Sequence, residues 1–135
     1  MTPDEIELVR ATFAQLAPTR AQVADMFYRR LFETAPDVKP LFKADMADQG
    51  AKVMGAIGMA VAGLDRLDEI LPQVEELARR HVGYGVEPRH YDVVGEAFLW
   101  TLDQGLGEAF TPEVKAAWIS AYGLLSGAMI TAAEG

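Results

Sequence analysis

Cysteine is absent from the 135 residues, so disulfides, thiolate metal sites, cysteine nucleophiles and prosthetic groups attached through C-x-x-C-H are all excluded. Basic charge is scarce as well. Twelve Lys and Arg face twenty Asp and Glu for a net charge of -8, and only Arg29/Arg30 and Arg79/Arg80 are paired in sequence, which argues against nucleic acid as a partner. Phosphate loops are missing: Gly83-x-Gly85 and Gly105-x-Gly107 lack a third glycine and a preceding strand, and read as helix terminators. No nucleophile elbow exists for a serine hydrolase. The start, Met-Thr-Pro-Asp-Glu-Ile-Glu, is acidic and lacks the charged-then-apolar order of a signal peptide, so a cytoplasmic protein is expected. One long stretch, Ala116 to Ala133, carries no charge. Ser120, Tyr122, Ser126, Thr131 and two glycines interrupt it, so it reads as a helix in a protein core and not as a membrane span.

Half of the residues are hydrophobic, enough for one domain over residues 1–135 with a single core. Apolar residues recur every three or four positions and alternation never persists, so the chain reads as all-α. Thr2-Pro3-Asp4-Glu5 supplies an N-cap, a proline start and a capping-box glutamate for a first helix ending near Pro18. A second runs from about Thr19 to Thr34, with Val23, Phe27 and Leu31 on one stripe and Ala24, Tyr28 and Phe32 on the next, before Ala35-Pro36 breaks it. Pro36 to Asp48 forms a corner. The helix from about Met46 to Leu64 contains Gly50, Gly55, Gly58 and Gly63, which suggests another helix crossing at close range. Further helices are expected from Pro72 to His81, from Glu87-Pro88 to Gly105, and onward from Thr111-Pro112-Glu113.

His81 is the most informative residue. It shares the apolar face of its helix with Val74, Leu77 and Ala78, and a histidine in that position is costly unless something uses its nitrogen. His90, between Arg89 and Tyr91 and close to Asp92, reads as a surface residue. The carboxylates Asp65, Asp68, Glu69, Glu75 and Glu76 read as solvated faces.

Taken in order, Phe27-Tyr28, Pro36-x-x-x-Pro40-Leu41-Phe42, Gln49, Arg79-Arg80-His81, Val86-x-Pro88-x-x-Tyr91-x-x-Val94-Gly95-Glu96 and Ala117-Trp118-x-x-Ala121-Tyr122-Gly123 resemble the bacterial globin family. The likeness is to the globin domains of flavohaemoglobins and to single-domain bacterial haemoglobins, and it covers nearly the whole chain. It implies a globin fold of about seven helices in a three-on-three sandwich around haem b. On that likeness His81 falls at the proximal iron ligand, Phe42 at the residue that wedges the porphyrin, and Arg80 where a basic group meets a propionate. Tyr28 and Gln49 fall at the distal polar positions, Val53 and Val94 in the apolar wall, and Leu77 and Tyr91 beside the cofactor.

The resemblance further implies reversible binding of dioxygen, with nitric oxide and carbon monoxide as other gases, by a monomer or homodimer. Nitric oxide dioxygenation served by a separate reductase is the enzymatic alternative, since no flavin or nicotinamide module is present in the chain. A haem-free helical module is the third reading. Two departures from the relatives stand out. Their late glutamate, which joins the proximal histidine and a tyrosine like Tyr91, aligns with Ala133, and Glu134 lies one helical step of about 100° away. The stretch from Phe42 to Gln49 is also shorter than theirs. Trp100 stands where smaller residues are usual and reads as packing.

Overall fold

The computed structural model describes residues 2–41, 46–83 and 87–134; within these spans the side chains of residues 41, 46–49, 51–53, 82, 83, 88, 133 and 134 are not described. Six α-helices follow one another: α1 (Pro3–Leu16), α2 (Arg20–Thr34), α3 (Met46–Ala62), α4 (Leu67–Gly83), α5 (Pro88–Leu106) and α6 (Pro112–Glu134). Short 3-10 turns at Ala17–Thr19, Pro36–Leu41, Leu64–Arg66 and Gly107–Ala109 link them, and no strand occurs among the described residues. The expected corner is thus opened by a 3-10 turn.

Local chemistry starts these helices as the sequence suggests. The Thr2 hydroxyl accepts from the Glu5 N–H at 3.2 Å while the Glu5 carboxylate accepts from the Thr2 N–H at 3.0 Å, so two otherwise orphaned donors are satisfied reciprocally. Thr111 caps α6 by accepting from Val114 N–H at 3.2 Å. The fourth helix departs from expectation: it begins at Leu67 and runs through Pro72. Proline removes one hydrogen bond near the helix start. The turn ahead of it is held by packing, because Ile70 lies over Gly63 so closely that a Cβ there would fall 2.7 Å from the Ile70 side chain. Asp68 and Glu69 in that first turn also favour the positive end of the helix dipole.

Two layers form, α1, α3 and α4 against α2, α5 and α6. They meet where α1 and α4 lie on α6 and where α3 lies on α2. At that last crossing Gly50 admits α2, since a Cβ would stand 3.0 Å from Ala24 Cβ; Gly55 has no such neighbour, so the crowding predicted from the glycines is real at only some of them. The larger core joins Val9, Leu16, Leu31, Leu102 and the aromatic row Trp118, Phe98, Phe27 and Tyr28. A separate small core of Val74, Ala78 and Met129 lies between α4 and α6, with Leu77, Tyr91 and Leu125 at its edge. No helix among the described residues is long and apolar enough to cross a membrane.

Candidate functional site

Although α3 and α4 follow one another across a single short turn, they are not a packed pair among the described residues: α3 docks on α2 and α1, and α4 on α6. The two helices thus turn to different partners. The core is divided at the same place, with Tyr28 on the larger side and Leu77 on the smaller.

His81 sits half-buried near the end of α4. Its Nδ1 lies 2.7 Å from the Leu77 carbonyl oxygen. A carbonyl can only accept, so Nδ1 carries the proton and, in the neutral ring, Nε2 carries the lone pair. The ring plane lies 22° from that of Tyr91 at a centroid separation of 6.4 Å. An imidazole whose Nδ1–H is fixed on a backbone carbonyl has the outer hydrogen bond that a metal-ligating histidine makes. Among the described residues no group of three or more His, Asp or Glu side chains converges; a single oriented imidazole of this kind would suit a metal whose other ligands come from a prosthetic group.

Tyr28 is buried on α2, 4% exposed, between Phe27 at 5.1 Å and Phe32 at 5.9 Å between ring centroids. Burial pushes its ionisation up to about 12, so the phenol stays a proton donor through neutral pH. It lines a cavity of about 760 Å³ between α2 and α3, with Ala24, Phe32, Gly50 and Met54 among the walls.

The other expected site residues are distributed as follows. Leu77 and Tyr91 are half-buried against the small core, and Val94 is half-buried against the large one, so α5 touches both. Arg80 is exposed and its Nε lies 3.4 Å from Glu76, which also pairs with Arg79 at 3.3 Å. Phe42, the side chains of Gln49 and Val53, and those of Ala133 and Glu134 lie outside the described residues. Trp100 packs, as expected, under the Arg30 guanidinium at 5.0 Å from its centroid.

His90 corrects the sequence reading: it is buried, 5% exposed, and its Nδ1 accepts from the Glu87 N–H at 2.8 Å. The charged neighbours suggested a surface site, but Arg89 turns outward to Asp37 and Glu87 at 3.1 and 2.9 Å while His90 folds back as part of the helix cap. The three-residue spacing from Glu87 to His90, just after the helix-starting Pro88, is the signal that marks such a cap. Tyr122 is a second residue that sequence reasoning gave no role; its O–H donates to the Tyr91 carbonyl.

This arrangement is an all-helical sandwich with one imidazole oriented by a backbone carbonyl near the end of α4. The Globin family model matches residues 25–129. The flavohemoprotein of Bacillus subtilis is 30% identical over 128 residues, covering 93% of this chain and 32% of its own. That of Bordetella parapertussis is 32% identical over 133 residues, covering 96% and 33%. Among solved structures, a bacterial globin from Campylobacter jejuni shares the fold with a TM-score of 0.88 and 25% identity, over 98% of this chain and 96% of that one. The chain belongs to the globin family, and haem binding follows from that membership. It spans about a third of the length of the curated relatives it matches.

Proposed function

We propose that residues 1–135 act as one haem b globin domain in the cytoplasm that binds dioxygen reversibly, with nitric oxide and carbon monoxide as further gases, and with His81 as the protein's iron ligand. The observation that carries this reading is the Nδ1 proton of His81 held on the Leu77 carbonyl at 2.7 Å, which leaves the Nε2 lone pair as the donor. His81 would hold haem through that nitrogen, and the haem would supply an iron able to bind a diatomic gas.

The remaining work falls to the chain. The Leu77 carbonyl fixes the tautomer of His81 and raises the basicity of its donor nitrogen. Leu77 and Val94 offer apolar surface that excludes water. Tyr28, kept protonated by burial, is the donor for a ligand that gathers negative charge; a hydrogen bond to a charged acceptor stabilises by about 1.5–3 kcal/mol, slowing release by roughly tens of fold. By resemblance Phe42, Gln49 and Val53 would line the haem site, and Arg80, now on the exposed Glu76, would offer its charge to a propionate. The alternative reading is nitric oxide dioxygenation, with a separate reductase as the electron source.

Titration with haemin followed by reduction and carbon monoxide tests the assignment. The wild-type protein is expected to give one histidine-ligated Soret band, which His81→Ala loses; an unchanged spectrum in that variant overturns it. Tyr28→Phe is expected to raise the dioxygen dissociation rate at least several-fold, roughly the effect of one lost charge-assisted hydrogen bond.

A further inference from the structure

The cavity between α2 and α3 differs in charge from the molecule around it. The chain carries a net charge of -8, yet the charged side chains that line this cavity are Arg20, Arg29 and Lys39 against the single carboxylate of Asp25. That carboxylate is already committed, with Asp25 Oδ2 lying 3.0 Å from Arg29 Nε one turn along α2. Arg20 and Lys39 make no ion pair among the described residues. The helix period sets where they stand. Arg20, Ala24 and Tyr28 follow one another at four-residue steps, so the exposed Arg20 lies about 12 Å along the axis from the buried phenol. Lys39 comes from the 3-10 turn after α2, its Nζ 5.9 Å from the centroid of Phe32, whose ring in turn stacks on Tyr28. An aromatic face attracts an ammonium without cancelling its charge. Cations beside the apolar walls of a cleft focus their field into it and raise the arrival rate of anions by about 10–10³. Neutral gases gain nothing from that field.

We propose that Arg20 and Lys39 make the mouth of this cavity a site for small inorganic anions of one negative charge, drawn in toward Tyr28 ahead of neutral molecules. The site goes beyond the binding of gases; its service to an iron rests on the haem assignment, and its existence does not. Azide at ferric iron and neutral carbon monoxide at ferrous iron are the probes in the haem-loaded full chain. Combining Arg20→Gln with Lys39→Gln slows azide association about ten-fold at low salt and leaves carbon monoxide association unchanged. At ~1 M salt, where screening acts within about 3 Å, the variant and the wild type converge. An azide rate unmoved by the double substitution overturns the inference. So does an equal fall on combining Arg66→Gln with Lys115→Gln, which removes the same charge from residues that do not line the cavity. A second readout needs no iron: nitrate titrated into the full chain shifts the backbone amide signals of Tyr28 and Phe32 to saturation in the wild type, and the Arg20→Gln, Lys39→Gln chain loses that saturation. A linear drift in both chains marks ionic strength alone and overturns the site. Absence of a Soret band that His81→Ala removes takes away the haem assignment only, and the nitrate titration then decides the anion site by itself.

Discussion

The two cores of this molecule are built on different terms. In the larger one the aromatic row Trp118, Phe98 and Phe27 leads to Tyr28, and three buried polar side chains are matched: Trp118 Nε1 donates to Thr12 Oγ1 at 2.9 Å, Thr12 Oγ1 donates to the Leu8 carbonyl at 2.7 Å, and Thr101 Oγ1 donates to the Ala97 carbonyl at 2.8 Å. In the smaller one Val74, Ala78 and Met129 are the buried members, and the half-buried Leu77 and Tyr91 form its margin. The first also borders the cavity between α2 and α3 through Tyr28. The second lies along α4, the helix of His81, with little apolar bulk of its own. A region so built gains much of its order from whatever packs on it, which is how a bound cofactor can couple binding to local stability.

The contrast is open to direct attack. Phe98→Ala removes a ring from the centre of the aromatic row and should lower global stability by about 3–5 kcal/mol, read as a fall in the urea midpoint with haem present or absent. Met129→Ala should cost about 2–3 kcal/mol and act mainly on α4, through faster amide exchange there and faster haem loss. If both variants lowered the midpoint equally and left α4 no more exposed than α5, the two-core distinction would be lost. A smaller effect sharpens the description of the larger core. The folded Tyr28 phenol ionises at about 12 and the unfolded one near its ordinary value of 10.0. Between these values the unfolded chain binds fewer protons, so stability present below pH 10 declines as pH rises toward 12, by up to about 1.4 kcal/mol per pH unit. Tyr28→Phe should flatten that alkaline limb. A limb of undiminished slope would assign it to other phenols.

Features that depend on neighbours within one turn were readable before any coordinates. The Thr2–Glu5 box and the Thr111 cap are hydrogen bonds across three residues, and both stand as expected. His81 on an apolar stripe was readable for the same reason, since Val74, Leu77 and Ala78 are one or two turns away. Pro72 and His90 misled because their local cues are weak beside tertiary ones. The turn before Pro72 is retained by Ile70 packing on Gly63, and His90 is drawn inward by a cap whose acceptor is itself. Tyr122 had no visible role because its partner lies on another helix, 31 residues away.

Residue order alone therefore settled the helical class and most helix starts, consequences of a 3.6-residue period and of caps that act over one turn, and put His81 on an apolar stripe. The division of the core, the docking of α3 and α4 on different helices, and the hydrogen bond from Tyr122 to Tyr91 were decided only on folding. Each depends on how helices distant in sequence dock, and docking follows from the summed shape and volume of many side chains that no local pattern encodes.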